Sequence, residues 1–269
     1  MSGPASQWSA QAPAPGIPPL VWAVIPARYA STRFPGKPLV PLAGKPMIQH
    51  VVERTRRTPG VSRVLVATDD ERIRQAVLAF GGEAVLTGEH PTGTDRIHEA
   101  VQRESARRQA PHYVLNVQGD EPLVSPDDLQ ALIAGLLALP QGRLGTLVHA
   151  LRSEEEARDP NVVKAVLDGQ GRALYFSRAP IPYPRGPVWP GQRAPLGWRH
   201  LGVYLFRTDF LATFARLPRS PLSEREQLEQ LRALEHGFPI HCFEAQALGL
   251  GVDSPEQVPQ VEALLRAGG

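Results

Sequence analysis

The chain has 269 residues, 42% of them apolar and 21% charged, which suits one large α/β domain or two small ones and supports a sizeable core. Its 29 basic and 27 acidic residues are interspersed and leave a net charge of only +2, which argues against a nucleic-acid binder with its clustered basic surface. No apolar run is long enough to span a bilayer, and the single cysteine, Cys242, can form no intrachain disulfide, as suits a cytoplasmic protein.

Residues 1–19 are rich in Pro, Ala and Ser and lack the cationic start and apolar core of a signal peptide, so they read as a disordered tail. Residues 20–269 read as one domain. Leu20–Pro26 (LVWAVIP) is a short apolar run of the kind a buried strand needs. A loop rich in Pro, Gly and basic residues follows, Ala27–Pro38. Ile48, Val51, Val52 and Thr55 recur at helical spacing and predict a helix starting near Pro46. Arg63–Thr68 reads as a strand, Ile73, Val77 and Phe80 mark a second helix, and Glu83–Leu86 is another strand. Asp95–Arg108 reads as a helix, Tyr113–Val117 as a strand, and Leu129, Leu132, Ile133, Leu136 and Leu137 as the apolar face of the next helix.

This alternation predicts a doubly wound, mostly parallel sheet with helices on both faces. Ligands bind such sheets beyond the carboxyl ends of the strands, which singles out three loops: Ala27–Pro38, Thr68–Asp70 and Gln118–Pro122. The second half is less regular. Val162–Leu167 and Ala173–Phe176 predict a hairpin around Asp168-Gly169-Gln170-Gly171. Residues 180–198, with many Pro and Gly and two Trp, read as an irregular excursion, because strand pattern resumes at His200–Phe206. A helix carrying Leu228, Leu231 and Leu234, a strand Ile240–Phe243, and a last helix with Val258, Val261, Leu264 and Leu265 complete the chain.

Four segments hold residues suited to chemistry. In the first loop Arg28, Arg33 and Lys37 stand together, with Gly36 allowing close backbone approach. Forked Arg donors and a mobile Lys charge suit a triphosphate; a solvated basic loop is an equal alternative. The spacing is neither a Walker A loop nor the glycine-rich dinucleotide pattern. In the second, Asn116–Pro122 (NVQGDEP), Asp120 follows a buried strand, where a carboxylate can hold Mg²⁺ that bridges substrate phosphates. Ser125 and Asp127 are better placed to cap the next helix, which leaves Asp120 free for function. In the third, Gly249–Glu256, Asp253 or Ser254 can simply cap the last helix before Pro255. In the fourth, Arg199–Tyr204, His200 and Tyr204 share a strand face by period two; a lone His is more often a structural residue than a catalyst. No His pair has zinc-ligand spacing.

Together these segments resemble the CMP-Kdo synthetase family, the 3-deoxy-manno-octulosonate cytidylyltransferases. The marks are Ile25–Leu39 (IPARYASTRFPGKPL), Gly44-Lys-Pro-Met, Ala67-Thr-Asp-Asp, Gly93-Thr-Asp-Arg96, Val117–Pro122 (VQGDEP), Asp159-Pro-Asn161 with Lys164, Leu174–Arg178 (LYFSR), Arg199–Tyr204 (RHLGVY), Leu228–Arg232 (LEQLR) and Gly251-Val-Asp253. The resemblance runs from about Val21 to Ala267. It implies a nucleotidyltransferase-type α/β fold, a homodimer joined through residues 175–200, and Mg²⁺ dependence. It further implies transfer of CMP from CTP to the eight-carbon acid sugar Kdo, with release of pyrophosphate. By motif, Arg28, Arg33 and Lys37 match the CTP-phosphate loop and Arg96 a nucleotide-side arginine. Asp120 and Asp253 match Mg²⁺ ligands, which reverses the capping reading of Asp253. Gln118, Arg178, His200 and Tyr204 match positions lining the sugar pocket, with Arg178 the choice for the sugar carboxylate.

One position departs from the family. Where Pro-Leu-Glu is common, this chain reads Pro221-Leu222-Ser223. With Glu224 next in the chain, a Glu that would hydrogen-bond sugar hydroxyls is absent or displaced by one position, which raises an 8-amino Kdo analogue as an alternative acceptor. A CMP-sialic acid synthetase is a more distant rival, since its first loop typically reads Ala-Arg-Gly-Gly-Ser-Lys. A non-catalytic nucleotide-binding regulator is the rival of another class, opposed by the presence of both Asp120 and Asp253.

Overall fold

The computed structural model describes residues 18–30, 34–183, 185 and 197–267. In chain order the elements are β1 (Val21–Ala27), β2 (Pro41–Leu42), β3 (Lys45–Pro46), α1 (Met47–Arg56), β4 (Val61–Thr68), α2 (Glu71–Ala79), β5 (Glu83–Leu86), α3 (Gly93–Ser105), β6 (Tyr113–Asn116) and α4 (Pro126–Leu137). Then come β7 (Leu144–Ala150), α5 (Glu154–Arg158), β8 (Lys164–Leu167), β9 (Ala173–Ser177), β10 (Trp198–Arg207), α6 (Thr208–Arg216), α7 (Pro221–Glu226), α8 (Leu231–Glu235), β11 (His241–Glu244) and α9 (Val258–Ala267).

The sheet runs in the order β11-β7-β10-β6-β1-β4-β5, with the β8–β9 hairpin attached to β10. Its parallel pairs are β1 with β4 and with β6, β4 with β5, and β11 with β7; β10 alone on this path runs the other way. The predicted mostly parallel α/β sheet is what forms. Strand alternation sends successive side chains to opposite faces. Accordingly Val21, Ala23 and Ile25 of β1 join a core with α1, α2 and α4, while Trp22 and Val24 join one with α3, α6 and α8. Both faces of the central strand are buried, which explains its continuous apolar run.

Local chemistry sets the helix starts. The Ser125 hydroxyl accepts the Asp128 N–H and Pro126 takes the first position of α4, as expected. Thr92 caps α3 by accepting the Asp95 N–H, so that helix begins two residues earlier than its apolar pattern indicates. The single helix expected through Leu228, Leu231 and Leu234 is two short ones. Gln227 adopts a left-handed conformation (φ 53°) between α7 and α8, and Leu228 lies in the break. Strand β7 and helix α6 are additions to the sequence reading; α6 nonetheless buries Phe210, Leu211 and Phe214 at helical spacing.

A third, smaller cluster joins the β2–β3 hairpin to α9: Leu42 and Met47 meet Val252, Val261 and Leu265. The Ala43 N–H donates to Glu262 Oε1 (2.6 Å), and the Val252 N–H donates to the Asp120 carbonyl (2.9 Å). These contacts carry the loop before α9 back to the carboxyl ends of β1 and β6.

Candidate active site

A cleft of about 260 Å³ opens at the carboxyl ends of β1, β5 and β6. One wall is Pro26–Arg28 with Lys37 and Pro38, a second is His90–Gly93 with Arg96, and the floor is Gln118–Asp120. Of the residues singled out in the sequence, the structure thus brings Arg28, Lys37, Arg96, Gln118 and Asp120 together. Arg33 lies outside the described residues, as does most of the 175–200 stretch from 184 onward.

Gly36, in the left-handed region (φ 70°), bends the first loop; a Cβ there would meet the Tyr29 ring at 3.2 Å. Its N–H donates to the Tyr29 carbonyl (2.9 Å), and Arg72 stacks on the other side of the loop, 3.3 Å from the Tyr29 ring centroid. The short turn that follows sends the Lys37 ammonium into the cleft. It lies 2.6 Å from Asp120 Oδ2 and 3.7 Å from Asp253 Oδ1. Asp253 therefore stands at the mouth of the site, with Ser254 and Gln257 forming the capping box of the turn before α9. Two carboxylates that converge on one cation form a donor set suited to Mg²⁺, which takes one or two carboxylates and fills its remaining positions with water and phosphate oxygens.

Arg96 is buried. Its guanidinium donates to Asp69 Oδ2 (2.6 Å) and Thr87 Oγ1 (3.0 Å), which lock it against the ends of β4 and β5. Gln118 gives its amide N–H groups to the Gly202 carbonyl (3.0 Å) and Asn116 Oδ1 (3.3 Å), leaving its Oε1 as acceptor.

The remaining three candidates lie elsewhere. Pairing between β10 and β7 shifts from Leu201↔Leu147 to Tyr204↔Thr146, so Gly202 and Val203 form a bulge. Thr146 Oγ1 donates to the Val203 carbonyl (2.7 Å) and accepts from His200 Nε2 (2.9 Å). His200 is thus a buried pin for the bulge, wedged between Phe176 and Tyr204 at ring distances of 4.9 and 5.3 Å. Burial pushes its pKa down to about 3, so the ring is neutral. It does not line the cleft. Burial holds the Tyr204 phenol well above its ordinary range, with Glu229 adding to the effect. Arg178 spends its guanidinium on the carbonyls of Glu226 (2.9 Å), Pro160 (3.0 Å) and Gln227 (3.5 Å), outside the cleft.

Three further groups belong to this region; of them only Glu121, beside Asp120 at the end of a buried strand, was placed by the sequence. Glu229 reaches the α3 N-terminus, accepting from Thr92 (3.2 Å), Thr94 (3.1 Å) and Arg232 (2.9 Å); burial raises its pKa. It sits inside the LEQLR run, but no spacing rule marks it. Glu121 lies beneath Gly249 and Gly251, and burial, then Asp120, push its pKa up to about 7. His90 follows β5, in a strand-end loop that the three expected loops left out. Ser223 bonds within its own helix start and to none of Gln118, Arg178, His200 or Tyr204 in the contacts described. It is buried at the start of α7, where its hydroxyl donates to the Ser220 carbonyl (2.8 Å) and accepts the Ser220 N–H (3.1 Å).

Residues 22–242 match the family model described as cytidylyltransferase. A 3-deoxy-manno-octulosonate cytidylyltransferase of Syntrophotalea carbinolica is 52% identical over 254 residues, covering 91% of this chain and 98% of that protein. The enzyme of that name from Myxococcus xanthus is 51% identical over 248 residues, covering 92% and 97%. Among solved structures, a CMP:2-keto-3-deoxy-manno-octonic acid synthetase complexed with CTP superposes with a TM-score of 0.84 at 44% identity, covering 92% of this chain and 99% of that one. The family model spans most of the chain and these relatives are matched over nearly their whole length, so the chain belongs to the 3-deoxy-manno-octulosonate cytidylyltransferase family.

Proposed function

We propose that this protein transfers CMP from CTP to Kdo and releases pyrophosphate. The observation that carries the reading is the meeting of Arg28 and Lys37 with Asp120 and Asp253 at the mouth of one cleft. The anomeric hydroxyl of Kdo attacks the α-phosphorus of CTP in line, the bond to the β-phosphate oxygen breaks, and pyrophosphate leaves. Such a transfer asks little covalent work of the protein, which must align two anions and neutralise charge on the transferring and leaving oxygens. Arg28 and Lys37, with Arg33 by motif, hold the triphosphate. Lys37 follows the charge that builds on the departing pyrophosphate, and Arg96 holds the nucleoside side.

Asp120 and Asp253 are the proposed Mg²⁺ ligands; the ion, when bound, neutralises phosphate charge. On the sugar side, Gln118 Oε1, the Tyr204 phenol and the Glu229 carboxylate offer partners for hydroxyl groups. Arg178 is the proposed partner of the Kdo carboxylate, which as an anion outcompetes the neutral carbonyls that hold the guanidinium. His200 supports this wall through the bulge rather than by touching the sugar. The relatives' names favour Kdo over a sialic acid, and the capping role of Ser223 removes the motive for an amino-sugar acceptor.

We further infer a cytoplasmic homodimer that acts on neither nucleic acid nor membrane. The lone cysteine suits a reducing compartment and the balanced charge a partner other than nucleic acid; among the described residues no helix is long and apolar enough to cross a membrane. The test is pyrophosphate release from CTP with a panel of acid sugars, with and without Mg²⁺. Release with Kdo that depends on Mg²⁺ is expected. Turnover with sialic acid in preference to Kdo, or with a neutral aldose, would overturn the assignment.

A further inference from the structure

The His90 wall of the cleft has no role in the scheme above. Its imidazole lines the cleft with its side chain 23% exposed, and Nε2 is held by Glu99 Oε2. The Glu99 carboxylate is itself fixed from two further directions, by the Gly88 N–H (2.9 Å) and by the Arg103 guanidinium one helical turn on. A carboxylate with three donors cannot rotate freely, so the ring it holds is also fixed. This carboxylate–imidazole arrangement orients a histidine and sets its tautomer, as it does wherever a ring must present one chosen nitrogen. With Nε2–H given to Glu99, Nδ1 is left as a lone-pair acceptor. Nδ1 has no partner among the described residues.

The layout of the cleft says what that acceptor meets. The phosphates belong with Arg28, Lys37 and Asp120. A nucleoside extending from them occupies the other end, between the His90–Gly93 wall and Arg96. The edge of cytosine carries an exocyclic amino donor beside two acceptors, whereas uracil carries a carbonyl in place of the amine. An acceptor on the cleft wall, with the Arg96 cation lining the same cleft, complements the first edge and opposes the second. We infer that His90, oriented by Glu99, is a specificity-determining residue that accepts a hydrogen bond from the 4-amino group of CTP and discriminates against UTP. This inference rests on the CTP-transfer reading.

The experiment measures kcat and KM for CTP and for UTP, with Kdo as acceptor, in the unaltered protein and in His90→Ala, His90→Gln and Glu99→Gln. In His90→Ala, kcat/KM for CTP should fall about 10-fold or more, mainly through KM for CTP, the loss typical of a missing base-edge hydrogen bond. UTP and the KM for Kdo should change little, so the CTP/UTP ratio narrows by the same factor. His90→Gln keeps an acceptor oxygen and should retain part of the ratio, and Glu99→Gln should narrow it less than His90→Ala. A histidine that merely braced the loop would lower both nucleotides together and leave the ratio unchanged; that result, or a raised KM for Kdo alone, overturns the inference. If His90→Ala does not fold, the ratios in the other two variants decide. An unaltered protein that makes no CMP-Kdo would instead overturn the transferase reading, and one that uses CTP and UTP equally would overturn this inference alone.

Discussion

Lys37 shows how one side chain can serve two electrostatic states. In the structure its ammonium offsets two carboxylates that would otherwise repel each other at the cleft mouth. During transfer the same charge is wanted on pyrophosphate. Lys37→Ala is therefore expected to lower kcat on the order of 10²-fold while leaving the KM for Kdo nearly unchanged. Asp120→Asn or Asp253→Asn should nearly abolish turnover at saturating Mg²⁺ without altering the unfolding midpoint, as read by calorimetry beside the rate assay; near-normal turnover in either variant would remove that residue from the proposed ligand pair. His200 makes a different prediction. Its folded pKa, about 3, lies below the ordinary imidazole value, so between these values the unfolded chain binds the extra proton and stability falls as pH falls. Between pH 7.5 and pH 5 this one group should cost about 2 kcal/mol. Urea titrations at both pH values should show that loss, and His200→Gln should lack most of it. At this scale the sequence was informative where residues cluster in one loop, as Arg28 and Lys37 do. Spacing alone was silent where partners meet only through the fold, and the family resemblance had to bring in Asp253, which reaches Lys37 because a hairpin and the last helix share a small core. For His200 the plain reading from sequence, a hydrogen-bonded structural residue, matches its environment.

Among the elements, helix α7 explains the one departure from the family pattern. Ser220 and Ser223 form a reciprocal capping box, and the Glu235 carboxylate of α8 accepts from the Ser220 hydroxyl and from the N–H groups of Leu222 (3.2 Å) and Ser223 (3.3 Å). A Glu at position 223 is the usual third residue of such a box, so a family Glu there fits the same structural task. Ser223→Ala should cost about 1 kcal/mol in chemical denaturation, as other cap removals do, and leave kcat/KM for Kdo unchanged. Ser223→Glu should leave the preference between Kdo and its 8-amino analogue unaltered; a shifted preference would return Ser223 to the specificity argument. Lys164, noted in the sequence only as part of a motif, is a buried staple of the same kind. Its ammonium donates to the carbonyls of Asp159 (2.8 Å), Val162 (2.6 Å) and Arg178 (2.6 Å), fixing the chain as it leaves β9. Regular periods made β1, β4, α1 and α4 readable. The break at Gln227 was not, because a left-handed non-glycine residue leaves no mark in the apolar spacing.

At the level of the whole molecule, the alternation of strand and helix foretold a parallel sheet, but not the reversal at β10. Direction depends on where the chain re-enters after residues 178–197, and no local pattern encodes that. Beyond Ala173, whose N–H donates to the Ile240 carbonyl (2.9 Å), β9 is an edge strand among the described residues, with Leu174 on it 60% exposed and Tyr183, past its end, 83% exposed. Exposed apolar groups beside an open edge are a liability in a free monomer and an asset at an interface. Sedimentation equilibrium should therefore give a dimer mass, and Leu174→Asp combined with Tyr183→Ser should shift it towards the monomer; an unaltered monomeric mass in the parent protein would remove the dimer proposal.

Gly119 lies where β6 ends against β1, and a Cβ there would stand 2.9 Å from the Pro26 carbonyl, backbone against backbone. Neither strand can yield without losing its parallel pairing, which runs through Val24↔Asn116. The mutational tolerance of the site thus follows contour as well as charge. In a library of single variants selected for turnover, position 119 should be as empty as position 120, although Gly119 supplies no side chain to either substrate. Positions such as Asp127 on the exposed face of α4, with their many charges, should fill freely.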